Sequence, residues 1–155
     1  MQNENQRLKQ IISIDSDLNK IQDLDILLQR ILNEARKAVG ADAGTIYIRN
    51  GDKLDFRYAQ NETKQKLLPA GQKLIYSFFS VDINKNSVSG YAADTGEILN
   101  IADMYDIDRN APYSFDPSYD KITQYKTIAT LTFPLRTNTG EILGVLQLIN
   151  PVDEK

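Results

Sequence analysis

Residues 87–105 read Ser-Val-Ser-Gly-Tyr-Ala-Ala-Asp-Thr-Gly-Glu-Ile-Leu-Asn-Ile-Ala-Asp-Met-Tyr. They divide into a short helix, a glycine stop, a short strand and the start of a polar loop. Ser87 is an N-cap, because its hydroxyl can accept from a first-turn amide that has no intrahelical partner. Gly96 stands where a helix end takes a residue at positive φ. Ile98, Leu99 and Ile101 form a brief apolar run closed by Asp103. Gly90 lies inside the first turn, where it costs helix stability and leaves the backbone uncovered. Bare amides at a helix start favour an anion, although most capped helices bind nothing.

Upstream, residues 2–22 are polar with a sparse apolar stripe at Ile11, Ile14, Leu18 and Ile21. This is an amphipathic helix with a narrow seam, suited either to a partner helix or to the chain's own domain. Asp23 or Asp25 opens a second helix with a wide apolar face of Leu24, Leu27, Leu28, Ile31, Leu32, Ala35, Ala38 and Val39, stopped by Gly40. Thr45–Arg49 alternates, Asn50-Gly51 is a hairpin turn signal, and Leu54–Ala59 returns, which predicts antiparallel strands. Residues 61–72 read as loop and 73–83 as a strand.

Downstream, residues 103–125 are poorly periodic and rich in Asp, Tyr, Asn and Pro. Loops of this length in a compact domain are functional or disordered, and the aromatics argue for a lid. Tyr105, Tyr113, Phe115 and Tyr119 would stack on a purine or hold the loop down. Ile128–Leu135 and Glu141–Asn150 are the closing strands. The second is nearly continuous in apolar residues and therefore central. Its Gln147 needs partners, from neighbouring protein groups or from a ligand. Helices first and hairpin-linked strands after them predict an α+β fold with an antiparallel sheet.

Composition narrows the chemistry. The chain has 155 residues, enough for one domain, and a formal net charge of −3 with scattered Lys and Arg, which argues against nucleic acid as a partner. It has no His and no Cys, so the commonest general base, thiolate nucleophiles and the usual transition-metal ligands are missing. Asp103, Asp106, Asp108, Asp116 and Asp120 lack the order of a calcium loop. Ser118-Tyr-Asp-Lys121 matches Ser-x-x-Lys without the companion motifs of that enzyme class. No apolar run is long enough for a membrane span and no signal peptide is evident. The expectation is a cytoplasmic protein with no catalytic residues, no metal, no cofactor and no membrane partner.

Ala41-Asp-Ala-Gly-Thr-Ile-Tyr-Ile48, the Ser87–Tyr105 stretch, Tyr125-Lys-Thr127, Phe133-Pro-Leu135 and Gly144-Val-Leu-Gln-Leu-Ile-Asn150 together resemble the GAF domain. The type is that of cyclic-nucleotide phosphodiesterases, adenylyl cyclases and bacterial signalling phosphohydrolases. The resemblance implies a six-stranded antiparallel sheet, with N-terminal helices on one face and a lid-covered pocket on the other. It implies an N-terminal signalling or dimerisation helix at 1–22 and a GAF domain at 23–155 without its usual C-terminal helix, excised from a longer protein. It further implies a small-molecule ligand, with a cyclic nucleotide as the candidate, a homodimer through the N-terminal helix, and relay to an output domain. A ligand-free dimerisation scaffold is the alternative. In nucleotide-binding members the phosphate meets the central helix start, here Val88, Ser89, Gly90 and Tyr91. Asp103, Tyr105, Phe115, Asp120, Thr123 and Thr127 correspond to the lid side of the pocket, and Gln147 stands where some binders carry Glu. Gln124 replaces a frequent Gly, and Ser89 a common Ala. The family's bilin-attachment and methionine-sulfoxide reductase activities need Cys, and its haem sensing needs His.

Overall fold

The computed structural model describes residues 2–151, without the side chains of residues 2, 14–18 and 21. Helix α1 runs unbroken over Gln2–Val39. The expected break near Asp23 is absent, since Asp costs a helix interior only tenths of a kcal/mol and no Gly or Pro stands there. The face α1 buries is also narrower than its apolar spacing suggested. Leu28 and Leu32 are buried, whereas Leu24, Leu27 and Val39 are exposed. Of the N-terminal seam, Ile11 is exposed, and the side chains of Ile14, Leu18 and Ile21 lie outside the described residues. Gly40, at φ 66°, ends the helix.

Strands β1 (Ala41–Asn50) and β2 (Lys53–Asn61) form the expected antiparallel hairpin. Its turn is Gly51-Asp52, one residue later than the Asn-Gly signal, with Gly51 at φ 63°. The stretch read as loop contains helix α2 (Glu62–Lys66), capped by Asn61, whose Oδ1 accepts from Lys64 N at 2.9 Å. Of the predicted strand 73–83, Ser80–Asp82 forms β3, and a further backbone bond joins the sheet, Phe79 O accepting from Phe56 N at 2.9 Å. Of residues 74–79, Tyr76 and Phe79 turn inward and pack their rings on the core, whereas Ile75 and Phe78 face solvent. The Phe56 ring lies 5.8 Å from Tyr76 and 5.1 Å from Phe79.

Helix α3 (Val88–Thr95), strand β4 (Leu99–Ile101), helix α4 (Ser118–Thr123), β5 (Thr130–Arg136) and β6 (Ile142–Pro151) complete the chain. The six-stranded sheet is antiparallel in the order β3-β2-β1-β6-β5-β4. β6 is central, as its unbroken apolar run required. Alternation along it serves two cores: Leu146 and Leu148 face the α1 side, and Val145 faces α3. The architecture is α+β, with α1 on one face and α3 plus the 103–127 lid on the other.

Candidate functional site

Sequence places the first wall of the site in α3. Ser87 Oγ accepts from Gly90 N at 3.0 Å and Ser87 O accepts from Tyr91 N at 3.0 Å, so the cap takes two of the first-turn amides. Gly96, at φ 75°, closes the helix. Val88 through Ala93 are all buried. Gly90 is glycine because of close packing. An added Cβ would collide with Asp82 O and lie 2.7 Å from Ser87 Oγ and 2.9 Å from Asn84 O. The expectation of an uncovered backbone at Gly90 is therefore corrected: the 82–84 segment covers it. The Tyr91 side chain points away from the helix start, its hydroxyl donating to Glu97 Oε2 at 3.1 Å.

The lid is tied by Asp120, a buried carboxylate on α4. Thr127 N donates to Asp120 Oδ2 at 2.7 Å, Thr127 Oγ1 to Oδ1 at 2.8 Å, and the Tyr105 hydroxyl to Oδ2 at 2.8 Å. The bond to Asp120, followed by burial, raises the Tyr105 pKa. The Tyr105 ring also takes the Lys126 ammonium at 4.5 Å and the edge of Phe115 at 5.2 Å. Thr123 Oγ1 bonds back to Tyr119 O at 3.0 Å. Asp103, Asp108 and Asp116 each accept from the amide two residues on. These acids shape turns, and among the described residues no cluster suited to a metal is present.

The floor is polar. Thr45, Gln147 and Thr132 are in register across β1, β6 and β5, with Gln147 Nε2 donating to Thr132 Oγ1 at 3.2 Å. Thr45 and Thr132 are buried. Neither was singled out from sequence, although pairing a Thr at each end of a Gln-bearing register was legible once β1 and β5 flank β6.

An aromatic bridge joins sheet to lid. Phe79 lies 6.0 Å from Tyr47 and 5.0 Å from Tyr119 on α4. Burial pushes the Tyr47 hydroxyl above the ordinary tyrosine range, and pushes Tyr76 up to about 12. The Tyr76 hydroxyl is buried without a hydrogen-bond partner among the described residues.

The structure thus brings Tyr105, Asp120 and Thr127 together in one knot. Gln147 lies in the polar row of the sheet and Val88–Tyr91 in the first turn of α3. A cleft of about 390 Å³ opens in the lid itself, lined by Tyr105 and Phe115 together with Lys85, Arg109 and Tyr113, and it includes neither Asp120 nor Gln147.

This antiparallel sheet, flanked by α1 on one face and by α3 with its lid on the other, is the fold of GAF domains. The chain belongs to the GAF domain family, whose model matches residues 23–154. GAF domains are typically regulatory sensor modules of signalling proteins, and the methionine-sulfoxide reductase activity found within the family needs the Cys this chain lacks. A probable 3',5'-cyclic phosphodiesterase pde-5 of Caenorhabditis elegans is 29% identical over 145 residues, covering 89% of this chain and 18% of that protein. A dual 3',5'-cyclic-AMP and -GMP phosphodiesterase 11A of Takifugu rubripes is 44% identical over 63 residues, covering 41% of this chain and 6% of that protein. The chain therefore spans a small part of these relatives. The GAF domain of a phosphoenolpyruvate-protein phosphotransferase from Coxiella burnetii superposes with a TM-score of 0.58 at 18% identity, covering 83% of this chain and 67% of that one. No helix among the described residues is long and apolar enough to cross a membrane.

Proposed function

We propose that this GAF domain senses a cyclic nucleotide bound between the α3 wall, the Thr45–Gln147–Thr132 floor and the lid, and relays occupancy through α1 to an output domain. The observation that carries the reading is the Asp120 knot. Three donors hold one buried carboxylate of the lid directly, and a ligand with its own donors can exchange with any of them. A phosphate favours the first turn of α3, where the Val88 and Ser89 amides are the ones Ser87 does not take. The helix dipole there contributes about 0.3–1 kcal/mol, and up to about 2 kcal/mol when partly buried. The aromatic rings near the lid supply stacking surface for a base. The relatives' names favour this ligand class: one specifies cyclic-AMP and -GMP, the other a 3',5'-cyclic phosphodiesterase.

The test is thermal unfolding and calorimetry of the chain with cyclic AMP and cyclic GMP. A ligand at a hundred times its dissociation constant stabilises the fold by about 2.7 kcal/mol. Absence of stabilisation by either at millimolar concentration would sink the reading.

A second reading, a ligand-free dimerisation scaffold, is favoured by the exposed Leu8, Ile11 and Ile12 of α1. It predicts a melting temperature that rises with protein concentration and no response to nucleotide. Dimerisation itself is compatible with sensing, in a cytoplasmic homodimer paired through residues 1–22, with 23–155 as the sensor. Deleting residues 1–22 then gives a folded monomer.

A further inference from the structure

Four strongly exposed apolar side chains of the domain stand on segments that are tied to one another. Ile75, Leu67, Ile122 and Phe78 are 96%, 79%, 78% and 70% exposed. Their backbones are tied together. Gln65 of α2 donates to Gln72 O at 2.6 Å and accepts from Leu74 N at 3.2 Å. Lys64 Nζ donates to Thr123 O, beside Ile122. The Phe79 ring packs on Tyr119, one turn before Ile122 on α4. Within residues 74–79, Tyr76 and Phe79 turn inward while Ile75 and Phe78 turn out. An exposed cluster of large apolar groups marks a contact surface.

The same surface is basic. Lys64, Lys66, Lys73 and Lys121 lie on it, and among the described residues none of them forms an ion pair. The carboxylates in stretches 62–79 and 116–124 are outnumbered and engaged: Glu62 pairs with Arg36 at 3.2 Å, Asp120 lies within the lid, and Asp116 accepts from Ser118 N near Lys121. A chain of net charge −3 thus carries a positive apolar face. A second copy set against this face would bring like charges together. Ile75 and Phe78 project from an irregular segment as prongs, a shape suited to a deformable medium bearing negative charge.

We infer that this surface docks on an anionic lipid bilayer, with Ile75 and Phe78 entering the boundary between headgroups and acyl chains and the lysines meeting lipid phosphates. Peripheral docking needs no membrane span, so it departs from the expectation of no membrane partner without requiring an apolar helix.

The test is co-sedimentation of the full chain with vesicles of mixed phosphatidylserine and phosphatidylcholine, and with phosphatidylcholine alone. Binding is expected only to the mixed vesicles, weakening as salt rises. Removing Lys66 or Lys73 should lower affinity about fivefold each, as expected for one basic group near an anionic surface. Ile75→Ser combined with Phe78→Ser should abolish sedimentation with an unchanged melting temperature, since both side chains stand in solvent. Failure to bind phosphatidylserine vesicles overturns the inference. So does equal binding to phosphatidylcholine alone, or binding that survives the double serine variant. Light scattering that shows a wild-type oligomer dissolved by that variant, with no vesicle binding, reassigns the patch to protein contact.

Discussion

The Tyr125 hydroxyl donates to Asp42 Oδ2 at 2.6 Å, joining residues 83 apart in sequence. The same hydroxyl accepts from Asn150 Nδ2 at 3.1 Å, and Asp42 Oδ2 accepts from Thr63 Oγ1 at 2.7 Å. Asn150 Oδ1 in turn takes the amides of Ile128 and Ala129. At the other end, Arg36 of α1 donates to the carbonyls of Ala41 and Asp42 and to Gln60 Oε1. The end of the lid is thereby coupled through Asp42 to the last turns of α1, a contiguous physical route from site to helix.

Tyr125→Phe removes a hydroxyl that bonds a carboxylate, an interaction contributing about 1.5–3 kcal/mol. The variant should unfold at lower urea with an unchanged denaturant slope. If the proposed sensing is correct, it should also blunt any nucleotide-dependent change in α1, read by hydrogen exchange of residues 30–39.

Much of this architecture was legible because its signals are local. The Ser87 cap, the Gly96 stop, the hairpin and the uninterrupted apolar run of β6 are each set by a few adjacent residues. Two misreadings were local, the break expected near Asp23 and the helix α2 capped by Asn61 within the stretch read as loop; the others were decided by tertiary contacts. Leu74, Tyr76, Phe78 and Phe79 read as a strand, yet two of them are core rings and Phe78 is exposed. The eight-residue apolar face of α1 contains more apolar positions than the sheet covers. Gly90 was read as exposing backbone, and only the position of the 82–84 segment shows that it admits a neighbouring chain. In the site, residue types at Asp120 and Thr127 were legible, but their bonds to each other were not.

Gln124 is the C-cap of α4 at φ 55°, a left-handed conformation that favours glycine. A side chain there costs about 1–2 kcal/mol, partly offset by the entropy glycine loses on folding. Gln124→Gly should therefore raise stability by up to about 1 kcal/mol, measured by urea unfolding. A loss larger than that would show that the Gln124 side chain holds the lid.

High pH should destabilise the fold through its buried tyrosines. Their folded pKa values lie above the ordinary value of about 10, with Tyr76 at about 12 and Tyr47 and Tyr125 also raised, burial being the leading cause. A raised folded pKa gives stability that is complete below pH 10 and is lost as pH climbs through the folded value. Unfolding free energy should thus be flat up to about pH 10 and fall from there to about pH 12, with tyrosinate absorbance rising in step. Tyr76→Phe should make the fall shallower while leaving its onset at about pH 10, because Tyr47 and Tyr125 still titrate there when unfolded. It should also stabilise the chain by about 1 kcal/mol at neutral pH, because it deletes an unsatisfied buried hydroxyl.

The Asp120 knot separates holding the lid from reading a ligand. Thr127 gives Asp120 two bonds, one from its backbone and one from its hydroxyl, whereas Tyr105 gives it one, from a ring that is partly exposed. Thr127→Ala should weaken the ligand-free fold by about 0.5–1.5 kcal/mol, and cyclic-nucleotide affinity with it, because the backbone amide alone positions the carboxylate less firmly. Tyr105→Phe should cost the ligand-free fold a similar amount. It should leave affinity unchanged or raise it up to about fivefold, since the ligand no longer has to displace the hydroxyl from Asp120. Gly90 substitutions are unsuitable for this comparison, because an added Cβ disrupts the 82–84 contact whether or not a phosphate binds nearby. The paired measurement is urea unfolding without ligand and calorimetry with cyclic AMP and cyclic GMP on the same two variants. Equal losses of affinity in both would mean that Tyr105 and Thr127 act only as lid fasteners, and that the ligand is read by the Thr45–Gln147–Thr132 floor instead.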